Sequence, residues 1–161
     1  MTDQPGISLR VGDPESPAAR RCLEAYYAEL AALFPKGFDP QLSVSADPAE
    51  TRPPQGQFLL IEHLGHARGC GALKTLAPGI GEIKRMWLGS ELRGRGLGRT
   101  LLAALEDWAE RLGMHTLRLD TSAQLAPALR LYRSAGYREI LPYNDNPYAH
   151  HWFEKHLAGL D

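Results

Sequence analysis

A glycine-rich segment with three arginines is the part of this sequence best suited to bind a charged ligand. It reads Arg93-Gly94-Arg95-Gly96-Leu97-Gly98-Arg99, follows a predicted strand at 81–88, and opens a helix predicted from the apolar spacing that begins at Leu97. Glycines let a backbone fold closely around an object, and the amides at a helix start carry partial positive charge. The segment therefore predicts a phosphate or pyrophosphate site. The alternative is a glycine-rich turn with solvated arginines.

Two other kinds of phosphate loop do not fit this segment. The dinucleotide fingerprint G-x-G-x-x-G fails because Arg99 stands where the third glycine belongs. The nucleoside-triphosphate loop fails because no Gly-Lys-Ser/Thr follows. What remains is Arg-x-x-Gly-x-Gly, formed by Arg93, Gly96 and Gly98.

With these three residues in register, the sequence resembles the GNAT superfamily of N-acetyltransferases. In that family a Gln/Arg-x-x-Gly-x-Gly/Ala signature holds the pyrophosphate of acetyl-CoA. A second stretch at 128–137, Ala-Leu-Arg-Leu-Tyr-Arg-Ser-Ala-Gly-Tyr, is similar to the family's helix that bears Leu-Tyr and closes on Gly-Phe/Tyr. The resemblance spans residues 58–157 and implies acetyl-CoA as the cofactor and acetyl transfer to an amine.

The resemblance also implies two catalytic residues. Tyr132, the tyrosine of Leu-Tyr, would protonate the departing thiolate, since a phenol keeps its proton at neutral pH; its alternative is a core tyrosine on an amphipathic helix. Glu82 precedes Arg93 at the spacing where some members carry a glutamate general base. Such a base is needed because an ammonium must lose a proton before it attacks. The alternative for Glu82 is a strand-edge ion pair with Lys84 or an arginine.

Two further cofactor contacts are implied by the same resemblance. Backbone groups of Met86, Trp87 and Leu88, in the second half of the strand, would bind the cofactor's pantetheine arm. Many members place an asparagine after the strand that ends here in Leu119-Asp120-Thr121, and Ser122 stands at that position. Ser122 either makes the cofactor contact or caps the next helix.

The acceptor pocket is expected outside the cofactor motifs. Its candidate residues are Tyr26 and Tyr27 of the first helix, Phe38 and Asp39 of the irregular segment at 35–57, and the run Tyr143-Asn144-Asp145-Asn146-Pro147-Tyr148. Aromatic rings with a few polar groups suit a small amine that has an apolar portion. The same residues would equally serve packing and turns.

The apolar spacing predicts the elements that must position these groups. Strands are predicted at 7–11, 58–64, 70–77, 81–88, 115–121, 137–141 and 150–157, and helices at 17–34, 47–51, 97–112 and 125–134. This order predicts a mixed α/β (α+β) fold with helices on both faces of the sheet. The resemblance makes that fold GNAT-like, with a central mixed, mostly antiparallel sheet.

Composition narrows the class of protein. The 161 residues suit one domain (1–161), and the net charge of −1 is no reason to expect nucleic acid or anionic lipid as a partner. No apolar run is long enough for a membrane span, and two cysteines are too few for a disulfide framework, so a cytoplasmic protein is predicted. No metal is expected, because His150 and His151 are neighbours on a predicted strand and point to opposite faces.

The sequence therefore predicts an acetyl-CoA-dependent N-acetyltransferase that acts on the primary amine of a small or amino-acid-like molecule. Direct attack in a ternary complex is expected, because Cys22 and Cys70 have the setting of small buried residues rather than of a nucleophile beside a base. The alternatives are a non-catalytic acetyl-CoA-binding module and an enzyme that acetylates a protein or peptide amine. A homodimer is a further expectation.

Overall fold

In the computed structural model, residues 4–42 and 47–157 are described, and within them seven strands form one sheet. The strands are β1 (Ile7–Val11), β2 (Gly56–His63), β3 (His66–Ala77), β4 (Ile80–Leu88), β5 (Thr116–Thr121), β6 (Arg138–Ile140) and β7 (His151–His156). Their order across the sheet is β1-β2-β3-β4-β5-β7-β6. Neighbours are antiparallel except β4 and β5, which are parallel. The predicted fold class is confirmed.

Three helices cover the two faces of this sheet: α1 (Pro17–Leu33), α2 (Leu97–Arg111) and α3 (Ala126–Ser134). Side chains alternate along β2, so Phe58 and Leu60 join the cluster under α1, whereas Leu59 and Ile61 join the core with α2 and α3. Short 3₁₀ turns lie at Pro48–Thr51 and Ser90–Leu92. No helix in the described part of the chain is long and apolar enough to cross a membrane.

The sheet separates between β4 and β5, and this separation creates room for a ligand. Parallel pairing joins only Ile80–Glu82 to Thr116–Arg118, although β4 continues to Leu88 and β5 to Thr121. A bulge lies just beyond the last pair, where Arg85 has a φ of 57° and the β3–β4 register shifts. Bulges bend a strand and increase its twist, which accounts for the divergence of the two strand ends.

Candidate functional site

The glycine loop between β4 and α2 presents open backbone. Gly94 and Gly96 have φ values of 76° and 75°, where a side chain costs about 1–2 kcal/mol. No heavy atom lies within 4 Å of the position that a Cβ would take at either glycine. The N-terminus of α2 has no side-chain cap and no acidic residue in its first turn. This described segment therefore fits a pyrophosphate, since free amides and partial positive charge meet there.

The side chain of Arg93 is hydrogen-bonded to residues of α1 and β4. Its Nη2 donates to Glu29 Oε1 and Oε2 at 2.6 and 2.7 Å and to Leu88 O at 2.9 Å. Trp87 Nε1 donates to the same Glu29 carboxylate at 2.8 Å. The side chains of Arg93 and Trp87 thus fix the loop and the end of β4 against α1.

The other two arginines of the loop lie at the surface, as does the partly exposed side chain of Arg93. Arg95 is exposed, and its backbone oxygen accepts from Gln4 Nε2 at 2.8 Å. Arg99 is also exposed and donates to Ser134 Oγ, on α3, at 2.6 Å. Both guanidinium groups are available to add positive charge beside the start of α2.

A cavity of about 100 Å³ lies at the separation of β4 and β5. Eight of its lining residues were predicted as site residues: Tyr26, Tyr27, Phe38, Met86, Ser122, Tyr132, Asn146 and Tyr148. The lining residues that the sequence did not single out as site candidates are Leu30, Phe34, Pro40, Ile83, Lys84, Arg85, Asp120, Thr121, Leu125, Ala128 and Ala149. The cavity therefore joins α1, the strand ends, α3 and the segment before β7.

Tyr132 lies on α3 with 7% of its surface exposed. Its hydroxyl donates to Met86 Sδ at 3.9 Å, and a thioether is a weak acceptor. Burial raises the pKa of Tyr132 above its usual range, and the negative charge of Asp120 raises it further. This phenol therefore keeps its proton while facing the cavity.

Glu82 is 1% exposed and is not among the described lining residues. Its Oε2 accepts from the Tyr143 hydroxyl at 2.6 Å. Its Oε1 lies 3.6 Å from Lys84 Nζ and has no hydrogen-bond partner in the described part of the chain. The ion pair with Lys84, one of the two interpretations from the sequence, is thus present. Tyr143 supports Glu82 rather than lining the described cavity wall.

Asp120, near the end of β5, reaches the cavity and is held by two amides. Asn144 Nδ2 donates to its Oδ2 at 2.7 Å, and Asn146 Nδ2 donates to its Oδ1 at 3.0 Å. Trp152 Nε1 in turn donates to Asn144 Oδ1 at 3.0 Å. Asn144, expected at the acceptor, instead stands behind Asp120 and outside the described cavity lining.

Ser122 corrects one expectation. It is not the cap of α3, because that helix begins at Ala126 with Leu125 in the N-cap position. The Ser122 hydroxyl accepts from the backbone N–H of Gln124 at 3.1 Å and lies 3.3 Å from His150 Nδ1. Ser122 therefore organises the turn between β5 and α3 while it lines the cavity.

The two cysteines lie together in the buried cluster under α1, and at most 1% of either is exposed. Cys22 Sγ donates to Gly69 O at 3.7 Å and Cys70 Sγ to Arg85 O at 3.4 Å. Neither thiol lines the cavity within the described wall. In the same described residues, no group of three or more His, Cys, Asp and Glu could hold a metal ion.

The sequence matches one family model. The acetyltransferase (GNAT) family model matches residues 23–137, which include the glycine loop, β4, β5 and Tyr132. The match thus spans most of the chain and both signature segments.

Three known proteins illustrate the similarity. An uncharacterized N-acetyltransferase of Schizosaccharomyces pombe is 41% identical over 98 residues, which are 59% of this chain and 60% of that protein. An IAA acetyltransferase of Azospirillum brasilense is 30% identical over 140 residues, 86% of this chain and 89% of that one. A Klebsiella pneumoniae crystal structure, described as an acyl-CoA N-acyltransferase, has a TM-score of 0.74 and 30% identity over 94% of this chain and 97% of that one.

Proposed function

Because the chain belongs to the acetyltransferase (GNAT) family, we propose that it acetylates the primary amine of a small or amino-acid-like molecule. The same membership identifies it as an N-acetyltransferase that uses acetyl-CoA. The observation that carries the proposal concerns the Tyr132 hydroxyl. This group is buried from bulk solvent, keeps its proton and belongs to a residue that lines the cavity where β4 and β5 separate. Direct attack in a ternary complex suits a cavity whose described wall contains no thiol.

The glycine loop is our proposed site for the cofactor's pyrophosphate. The loop backbone from Gly94 to Arg99 would donate N–H groups, and Arg95 and Arg99 would add charge. Backbone groups of β4 around Met86 would bind the pantetheine arm, because β4 has no β5 partner there in the described register. The Leu88 carbonyl already accepts from Arg93. When bound, acetyl-CoA supplies an activated acetyl group and a thiol leaving group.

Tyr132 is our proposed general acid. Its Oη holds a proton at neutral pH because burial disfavours the phenolate. The weak bond to Met86 Sδ costs little to break, so the proton is available to a sulfur that departs within the cavity.

Glu82 is our proposed final acceptor of the amine's proton, and it acts indirectly. It is not among the described lining residues, but Lys84 is, and Lys84 Nζ lies 3.6 Å from Glu82 Oε1. A proton would therefore reach Glu82 through Lys84 or through water.

The acceptor end of the cavity suits a small molecule. Aromatic rings of Tyr27, Phe34, Phe38 and Tyr148 line it, and their neighbouring ring centroids are 4.7–6.0 Å apart. These rings would pack against an apolar portion of the acceptor. The name of the Azospirillum relative, an IAA acetyltransferase, is in keeping with a small acceptor. A homodimer and a cytoplasmic location stay predictions from the sequence.

The experiment that tests this function is release of free thiol from acetyl-CoA in the presence of amines, polyamines, amino acids and peptides. We expect turnover of a small primary amine. The Tyr132→Phe variant should lower kcat by about 10²–10⁴-fold, the usual contribution of acid–base assistance. The KM for the amine should change little, because the substitution keeps the ring.

Tyr137→Phe is the matched control. Tyr137 lies 6.0 Å from Tyr132 between ring centroids, but its hydroxyl donates to Glu106 and it is not part of the described cavity wall. Its kcat should stay within about twofold, since no acid–base assistance is lost. A Tyr132→Phe enzyme with the wild-type rate would remove Tyr132 from the mechanism. Tight acetyl-CoA binding without turnover of any amine would favour a binding module instead.

A further inference from the structure

The cavity contains a carboxylate that the family motifs do not assign. Asp120 is the one acidic side chain among the described residues that line it. An amine substrate arrives mainly as an ammonium at neutral pH, and a buried cation needs a nearby counter-charge. We propose that Asp120 binds the acceptor as a primary ammonium and selects it over neutral molecules of the same shape. This inference rests on the proposed function and names the group that orients its substrate.

The two carboxylates beside the cavity differ in what they can reach. Glu82 is 1% exposed; its Oε2 accepts from the Tyr143 hydroxyl at 2.6 Å, and its Oε1, which has no hydrogen-bond partner in the described part of the chain, lies 3.6 Å from Lys84 Nζ. Asp120 is only partly buried, and it is one of the residues of the cavity wall. Of the two, Asp120 is the carboxylate that a molecule in the cavity can touch.

The hydrogen bonds of Asp120 hold it in place and leave room for a ligand. Each of its oxygens accepts one bond, from Asn144 at 2.7 Å and from Asn146 at 3.0 Å. A carboxylate oxygen has two lone pairs, so each can accept one more hydrogen bond. Both partners are neutral amides, which orient the carboxylate without cancelling its charge. An ammonium with three N–H donors complements this arrangement.

Two cations also line the cavity, and both have partners. Lys84 lies 3.6 Å from the Glu82 carboxylate. Arg85 lies close enough to Tyr27 for its positive charge to lower the pKa of that phenol, against the larger raising effect of burial. On the other side, Tyr26 and Tyr132 are close enough to Asp120 for its charge to help raise the pKa of each, after the larger effect of burial. An ammonium at Asp120 would therefore lie among phenol rings, whose faces attract cations.

The test compares an amine with its matched alcohol. The amine of the screening panel with the lowest KM is measured as a substrate, and the alcohol with the same carbon skeleton is measured as a competitive inhibitor. In the Asp120→Asn variant we expect the KM of the amine to rise about 10–100-fold, since a hydrogen bond between charged groups is lost. The Ki of the alcohol should stay within about threefold, because Asn can still hydrogen-bond to a hydroxyl.

Two further variants separate binding from structure. Asn144→Ala removes one support of Asp120 but keeps its charge, so the preference for the amine over the alcohol should persist even if the protein is less stable. Glu82→Gln should also keep that preference, because Glu82 is not part of the described wall.

The inference is overturned if Asp120→Asn leaves the KM of the amine unchanged, or if it raises the Ki of the alcohol as much as the KM of the amine. It is also overturned if Glu82→Gln alone removes the preference for the amine over the alcohol. Turnover by wild type together with any of these results leaves the proposed function intact. A wild-type protein that acetylates no amine would instead refute the proposed function.

Discussion

At the scale of single residues, the chemistry that we propose depends on a phenol that does not ionise. Burial removes the solvent that would stabilise the Tyr132 phenolate, and the Asp120 carboxylate disfavours it further. The pKa of Tyr132 is therefore raised above its ordinary value of 10.0. A group whose pKa is higher in the folded than in the unfolded protein stabilises the fold. The full contribution is present at pH values below the unfolded pKa, and it is lost as the pH rises through the folded pKa. The window of loss for Tyr132 thus lies above about pH 10.

This shift predicts the pH dependence of both absorbance and catalysis. We expect the tyrosinate absorbance that is lost in Tyr132→Phe to appear only above about pH 10 in an ultraviolet titration of the two proteins. For the same reason, deprotonation of Tyr132 should not lower kcat between about pH 7 and 10. A Tyr132-dependent absorbance step at the ordinary pKa of 10.0 would show that the hydroxyl is solvated, which contradicts its burial.

The sequence could indicate some of these residues and not others. Tyr132 and Glu82 stand in motifs with fixed spacing, so a family resemblance points to them. The support of Glu82 comes from Tyr143, a residue 61 positions away, and no local pattern reveals such a contact. Asp120 was visible only as a polar residue at the end of a strand, because its role depends on where β4 and β5 part.

At the scale of elements, the glycine loop combines backbone strain with an open surface. Gly96 has a φ of 75° and a vacant Cβ position, and it immediately precedes α2. Alanine at this position meets no neighbouring atom, but its Cβ makes the positive φ of the folded loop energetically unfavourable. The strain should therefore reshape the loop locally, at the amides proposed to hold pyrophosphate.

Gly96→Ala should weaken acetyl-CoA binding about tenfold, because about 1–2 kcal/mol of strain is relieved by moving those amides. Calorimetric titration of acetyl-CoA measures this change. Gly65→Ala is the control, since Gly65 has a φ of 83°, an equally open Cβ position and a place in the β2–β3 turn. Both variants should lose similar thermal stability, and equal affinity losses in the two would argue against the loop as the cofactor site.

The elements were predictable in order but not in their junctions. Apolar periodicity placed strand β1 at its observed bounds and the other strands within a few residues. It did not indicate the bulge at Arg85 or the short β4–β5 pairing, since both depend on contacts across the sheet. The residue type of Ser122 suggested a helix cap, because serine is common at helix starts. The chain instead makes one more turn after Ser122 before α3 begins.

At the scale of the whole molecule, side-chain contacts from two distant parts of the chain close the end of the cavity that we propose for the acceptor. The ring of Tyr148 stacks on Phe34 at 5.3 Å and lies 4.7 Å from Phe38, and its hydroxyl accepts from the backbone N–H of Asp39 at 2.8 Å. The segment before β7 is thereby attached to the end of α1 and the residues after it. None of these described contacts involves the glycine loop.

This separation predicts that the acceptor and the cofactor respond to different variants. In Tyr148→Leu two aromatic pairs are lost, with Phe34 and with Phe38, together worth about 1–3 kcal/mol, so the KM of the amine should rise about 5–150-fold. The affinity for acetyl-CoA, measured by calorimetry, should change less than about twofold, because the glycine loop keeps its geometry. Tyr148→Phe, which loses only the bond with Asp39, should lie between Tyr148→Leu and wild type. If Tyr148→Leu weakened the binding of acetyl-CoA as much as that of the amine, the acceptor end of the cavity and the glycine loop would be coupled. The coupling would run through α1, whose Glu29 is already hydrogen-bonded to Arg93 of the loop.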